Sequence, residues 1–219
     1  MKKLKKLLNF IPDYAVKPLI LVVIVNFSVY LGVRLFYKED GFHNITSYWD
    51  NLIPVVPVFV LIYFGCYFFW IANYILTSRI DKEHCYRLVM ADLLGKFICG
   101  IIYIAFPTTN IRPELTSSGI FVDMLKYLYS IDAANNLFPS IHVLVSWYCF
   151  AGVRGSKSIP SWYRYLSFVI TILICISTLT TKQHVIIDVL GGIIIAELTW
   201  QLSLRLKLYK SVKYINLET

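Results

Sequence analysis

The chain has 219 residues, of which 58% are hydrophobic and only 16% charged, and it carries a net charge of +8. A soluble domain of this length does not have so apolar a composition, so an integral membrane protein is expected. The basic residues sit on short segments between apolar runs, which excludes the continuous basic face of a nucleic-acid-binding domain.

Runs of roughly twenty apolar residues, enough to cross about 30 Å of hydrocarbon, predict six spans. The first covers 18–36. Its approach, "MKKLKKLLNFIPDYAVKPLI", has the basic head of a signal peptide, but Pro12, Asp13 and Lys17 interrupt it and no small-x-small site follows. The expectation is therefore an uncleaved membrane span. The second span covers 52–76. The third, 88–106, contains Asp92 and Lys96 one helical turn apart, placed to pair with each other. A long connection follows over 107–137. Within it, "SSGIFVDMLKYLYS" places Ile120, Phe121, Met124, Leu125 and Leu128 on one helical face. That stripe predicts a short helix that either lies on the outer membrane surface or packs as a lid. Spans four to six cover 137–153, 162–181 and 184–204, the last two joined by a very tight turn.

No internal repeat or low-complexity tract divides the chain. The reading is all-α: one six-transmembrane-helix bundle over 1–219, with a short interfacial helix in an outer loop. The five cysteines (Cys66, Cys85, Cys99, Cys149, Cys175) form no CxxC pair and read as small core residues. Aromatic residues reach 16%, as expected where rings sit at headgroup level.

Orientation follows from lysine and arginine. Fifteen lie on one set of segments: Lys2, Lys3, Lys5, Lys6 and Lys17; Arg79, Lys82 and Arg87; Arg154, Lys157 and Arg164; Arg205, Lys207, Lys210 and Lys213. The opposite set holds five: Arg34, Lys38, Arg112, Lys126 and Lys182. Both termini are expected in the cytoplasm, with the 107–137 connection and the turn at 182–184 outside.

The stretch "KQHVIID" at 182–188 puts a lysine, a histidine and an aspartate between two apolar runs, where charge is costly. His43 and His84 fall in loops and receive no role. His142 and His184 each stand at the outer beginning of a span, so two imidazoles enter the membrane from one side at one depth. Asp188 follows His184 by four residues, on the same face if both are helical. A carboxylate there fixes the histidine tautomer and makes the other ring nitrogen more basic, as a nucleophile or base requires. A buried histidine satisfied by its neighbour is the plainer alternative for an isolated His-x-x-x-Asp; the second histidine tips the balance.

In "NNLFPSIH", Pro139 suits a first helical turn, with Asn135 or Asn136 as cap. The free N–H groups near Ser140 then face an anion. Arg112, in "FPTTNIRPEL", offers a planar fork for phosphate oxygens or a headgroup anchor. Lys182 reaches the same anion or snorkels to lipid headgroups. Together these groups fit phosphoryl transfer.

On these residues the sequence resembles the type 2 phosphatidic acid phosphatase superfamily, within it the branch that includes inositol phosphorylceramide synthase-like proteins. The motif counterparts are Arg112-Pro113, Pro139-Ser140-Ile141-His142, and Ser177 through His184 to Asp188, over about 88–204. The resemblance implies that this core is catalytic, that His184 attacks phosphorus, that Asp188 orients it and that His142 protonates the leaving oxygen. It further implies that Arg112 and the amides near Ser140 hold the phosphate, without metal or cofactor. The lysine of the pattern falls at Ala105, its arginine after Ser177 is Thr178, and its glycine before His142 is Ile141; Lys182 stands where it can replace the lost charge.

The functional expectation is a plasma-membrane lipid phosphatase acting on a lipid phosphate or diphosphate outside the cytoplasm. A lipid phosphotransferase passing the group to a lipid alcohol is the alternative. A transporter comes third, because the main deep charge after Asp188, Glu197, lies about 20 Å from His184 by helical rise with no polar track between them. A zinc site from His142, His184 and Asp188 is disfavoured by nearby Arg112 and Lys182.

Overall fold

The computed structural model describes residues 10–36 and 41–216. Lys2, Lys3, Lys5, Lys6 and Lys38, which entered the charge count, lie outside the described residues. About 73% of the chain is helical. Among the described residues, eight α-helices run in order: α1 (Asp13–Gly32), α2 (Tyr48–Leu52), α3 (Val60–Ser78), α4 (Lys82–Ala105), α5 (Ile120–Ile131), α6 (Ile141–Val153), α7 (Ser161–Thr180) and α8 (Ile186–Arg205). A 3₁₀ segment closes the chain over Leu208–Asn216. Among the described residues, five helices are long and apolar enough to cross a membrane: α1, α3 with its leading turn, α4, α7 and α8.

Helix boundaries depart from the expected spans where proline or a cap intervenes. The span expected at 52–76 is broken. Pro54 and Pro57 lack an N–H and push the residues before them to extended backbone, with Ile53 at ψ 121° and Val56 at ψ 89°. Continuous α-helix therefore starts only at Val60. The span expected at 137–153 shrinks to the thirteen residues of α6. Pro139 lies outside it, joined to Phe138 by a cis peptide bond. Ser140, not Asn135 or Asn136, is the cap, its Oγ accepting the Val143 N–H at 3.3 Å.

At about 1.5 Å per residue α6 is only about 20 Å long. It tolerates this because protein surrounds it: α3, α4, α7 and α8 all pack on it, and nine of its residues are buried. Backbone that ends at membrane depth is stable only where protein, not lipid, covers it. The outer faces of the long helices are apolar and exposed, including Ile20 and Val23 on α1, Phe68 and Ile71 on α3, and Ile194 and Leu198 on α8. All five cysteines are free and buried.

The predicted Asp92–Lys96 pair forms inside the bundle at 2.6 Å, both side chains buried. The Tyr74 hydroxyl donates to Asp92, and Lys96 Nζ also donates to the Val22 carbonyl at 3.3 Å. Glu197 is engaged by Arg154 at 2.8 Å and by the Trp147 indole at 3.0 Å.

The predicted outer helix appears as α5. Val122, Leu125 and Leu128 are buried, the last two against Val60 and Tyr63 of α3, and Met124 packs beside them. Ile120 and Phe121 remain exposed. The stripe therefore splits, and its C-terminal part covers one end of the bundle. A two-residue parallel bridge, His43–Asn44 with Thr108–Thr109, ties the first loop to the segment leaving α4.

Candidate active site

The covered end of the bundle gathers the starts of α6 and α8, the ends of α4, α5 and α7, and the upper part of α3. The α6 and α8 starts touch directly: the Ser140 N–H donates to the Asp188 carbonyl at 3.1 Å. Tyr103 of α4 donates to the Pro139 carbonyl at 2.5 Å, fixing the approach to α6. Gly191 and Gly192 of α8 make this closeness feasible. A Cβ on Gly192 would sit 2.7 Å from the Ser140 oxygen, and one on Gly191 would sit 2.6 Å from the Phe138 ring.

The consequence is that His142 and His184, 42 residues apart in sequence, have ring centroids 5.8 Å apart, inclined at 58°. Two hydrogen bonds of about 2.8 Å to the oxygens of one tetrahedral group bridge such a gap. Both rings line a cavity of about 220 Å³ with Arg112, Gln183, Asp132 and Asn136.

His184 does not lie on α8. It precedes the helix by two residues, in the turn where the N–H groups of Gln183 and His184 both donate to the Thr178 carbonyl at 3.0 Å. Asp188, third residue of α8, reaches back. Its Oδ2 accepts the Val185 N–H at 2.9 Å and meets His184 Nδ1 at 3.2 Å. The i,i+4 pair therefore forms through a helix-start hydrogen bond rather than along a helical face. Asp188 is fully buried and His184 nearly so. With Nδ1 turned to the carboxylate, Nε2 is the nitrogen available for chemistry.

His142 is framed by α3. The Tyr63 hydroxyl lies 3.5 Å from Nδ1 and the Tyr67 hydroxyl 3.5 Å from Nε2. Trp70 packs with its ring centroid 5.5 Å away. The spacing 63, 67, 70 places all three on one face of α3, a helical-period signal carried by aromatic polar residues.

Arg112 is held by the protein itself. Nη1 donates to the Asp132 carbonyl at 2.6 Å and Nη2 to Gln183 Oε1 at 2.7 Å, while the guanidinium lies 4.8 Å from the centre of the Tyr129 ring. Burial lowers its pKa from the ordinary arginine value, and the neighbouring Asp132 carboxylate acts in the opposite direction. Asp132 accepts from Tyr30 at 2.8 Å and from Tyr63 at 3.2 Å. The sequence assigns no role to this carboxylate or to Gln183, which lies inside the 182–188 stretch, and only a capping role to Asn136.

Lys182 stands elsewhere. Its Nζ donates to the carbonyls of Asp50 and Ile53 at 2.7 and 2.6 Å. It lines a second cavity, of about 550 Å³, that adjoins the other side of His184. Desolvation lowers its pKa, with Asp50 acting in the opposite direction. Ser140 is fully buried, and its N–H and hydroxyl are engaged as described. The N–H groups of Ile141 and His142, in the first turn of α6, have no acceptor within the helix, and both residues line the first cavity. His43 stacks on Phe106, and His84 lies beside Trp200. Among the described residues, no group of three or more His, Cys, Asp or Glu side chains is arranged to hold a metal ion.

Compared with known proteins, the chain matches no family model, no curated protein and no solved structure.

Proposed function

We propose that this protein is a membrane-embedded phosphoryl-transfer enzyme acting on a lipid phosphate or diphosphate through a phosphohistidine on His184. The observation that carries the reading is the 5.8 Å approach of His142 and His184 across a cavity, with Asp188 on the inner nitrogen of His184. The chemistry balances on these groups. His184 Nε2 attacks phosphorus, the P–O bond to the leaving group breaks, and His142 supplies the proton that the leaving oxygen takes up. Water then attacks phosphorus, the P–N bond breaks, and His142 recovers a proton. Asp188 stabilises the imidazolium formed at His184. Arg112 and the α6 first-turn amides face the charge that develops on the phosphoryl oxygens.

Walls supplied by Phe27, Phe64 and Trp70 also suit a lipid alcohol as the second nucleophile, which makes the enzyme a phosphotransferase. The fold is read as six spans, with α6 as the short, protein-enclosed sixth. Arg79, Lys82, Arg154, Lys157 and Arg205 cluster at the helix ends opposite the site, which supports cytoplasmic termini and a site facing away from the cytoplasm, at the plasma membrane.

The test uses detergent-purified protein and a lipid phosphate labelled at phosphorus, with and without diacylglycerol or ceramide. Phosphate release and an acid-labile, base-stable label on the protein, both lost in His184→Ala, are expected. Label transfer to the added alcohol in place of release assigns the transferase. Equal turnover by wild type and His184→Ala rules out the phosphohistidine.

A further inference from the structure

Two carboxamides in the cavity have hydrogen-bonding capacity that the protein leaves unused. Gln183 is 1% exposed and Asn136 is 6% exposed, and both line the cavity with the two histidines. Gln183 Nε2, and both Nδ2 and Oδ1 of Asn136, have no hydrogen-bond partner among the described residues. A buried amide left unpaired is costly, so two of them on the wall of one cavity point to a ligand, and the free Gln183 Nε2 and Asn136 Nδ2 are donors for one that accepts hydrogen bonds.

Their placement is enforced. Arg112 Nη2 takes Gln183 Oε1 at 2.7 Å, which fixes the amide so that its NH₂ points away from the guanidinium. Asn136 adopts the left-handed backbone, φ 56°. Its segment is anchored on both sides: Thr109 donates to the Ala134 carbonyl at 2.6 Å, and Thr108 accepts from the Leu137 and Phe138 N–H groups at 3.1 and 2.9 Å. Backbone held this firmly, under a side chain whose polar atoms are unmatched, is prepared for something outside the protein.

We propose that Gln183 and Asn136 are phosphate-binding residues, their NH₂ groups contacting the non-bridging oxygens of the phosphoryl group between His142 and His184. Arg112, besides its own charge, orients and polarises the Gln183 amide. The site thus surrounds its anion with one fixed cation and neutral donors. This assignment rests on the phosphoryl-transfer reading above and extends it to two further residues.

The discriminating substitution is Gln183→Glu. It keeps the oxygen that accepts from Arg112 and replaces only the NH₂ donor by an anionic oxygen, so a purely structural role is preserved. Asn136→Gly removes the second amide while retaining a residue at ease with positive φ. The probe is orthovanadate, titrated by calorimetry onto the full-length protein in detergent, with lipid-phosphate turnover measured in parallel. Loss of a charge-assisted hydrogen bond weakens binding by about tenfold to a hundredfold. Both variants are expected to show a loss of that size, with melting temperatures in the absence of vanadate close to wild type. Wild-type vanadate affinity in either variant overturns the assignment of that residue. If turnover still requires His184, the enzymatic reading stands without it. A wild-type protein that neither binds vanadate nor turns over lipid phosphate overturns both.

Discussion

Gly192→Ala tests whether the contact between α6 and α8 sets the distance between the two imidazoles. The added Cβ would lie 2.7 Å from the Ser140 carbonyl oxygen and 3.1 Å from Val143 Cβ. Ordinary contact begins at 3.4 Å, so the helices must part by up to 0.7 Å, the difference between 3.4 and 2.7 Å. The carbonyl cannot swing aside, because it accepts the Leu144 N–H at 3.0 Å as the first hydrogen bond of α6. Overpacking of this kind costs about 1–3 kcal/mol, partly offset by the roughly 1 kcal/mol by which alanine exceeds glycine as a helix former. A net loss of up to about 2 kcal/mol lowers the melting temperature by up to roughly 8 °C for a chain of this size. Because a displacement near 1 Å between reacting groups costs about a hundredfold in rate, turnover is expected to fall between about tenfold and a hundredfold. Gly65→Ala on α3 is the matched control: nothing lies within 4 Å of its Cβ position, so the same change there raises the melting temperature. Thermal melts by circular dichroism in detergent, with labelled lipid phosphate turnover alongside, give both readouts. If Gly192→Ala stabilises the protein as Gly65→Ala does, α6 and α8 are not in the contact described.

Asp188→Asn retains the shape but can donate a hydrogen bond toward His184, favouring the wrong tautomer. By comparison with other histidine-orienting carboxylates, turnover falls on the order of 10⁴-fold, measured as phosphate release; retention within about tenfold denies Asp188 the orienting role. Lys182→Met removes the ammonium from the carbonyls of Asp50 and Ile53. Thermal unfolding should show a loss of about 1–3 kcal/mol while turnover changes little, since the ammonium is engaged by those two carbonyls; a selective collapse of turnover returns Lys182 to the anion site. Lys96→Met leaves Asp92 as an uncompensated buried charge, costing about 3–5 kcal/mol, and Asp92→Asn added to it recovers most of the loss. A double variant no more stable than the single one contradicts a pairwise ion bond.

Local chemistry decided much that was legible before any coordinates. Apolar runs marked five span-length helices, and the positions of α7 and α8 differ from expectation by two residues or fewer at each end. The Asp92–Lys96 pair needed only helical spacing. His184 and Asp188 meet because Asp188 reaches back to the Val185 N–H at the start of α8, a local bond that brings its carboxylate to the His184 ring. The breaks at Pro54 and Pro57 were equally local, yet an apolar run disguised them, because hydropathy does not record a missing N–H.

The rest depended on distant parts of the chain. Nothing near Gln183 announces that Arg112, 71 residues earlier, will take its carbonyl oxygen and leave its NH₂ without a partner among the described residues. Lys182 sits beside Gln183 in sequence, but its backbone, at φ 54°, directs its side chain to the α2 carbonyls and into the other cavity. Asp132 enters the site only because α5 folds back on Tyr63. Gly191 and Gly192 read as two weak helix formers until α6 is seen to rest against them. The sequence by itself determined which segments become helices and which groups carry charge, because both follow from neighbours a few residues away. Only the tertiary structure decided which of those groups share a cavity, because that depends on how closely two helices can approach, a distance set by side chains that are far apart along the chain.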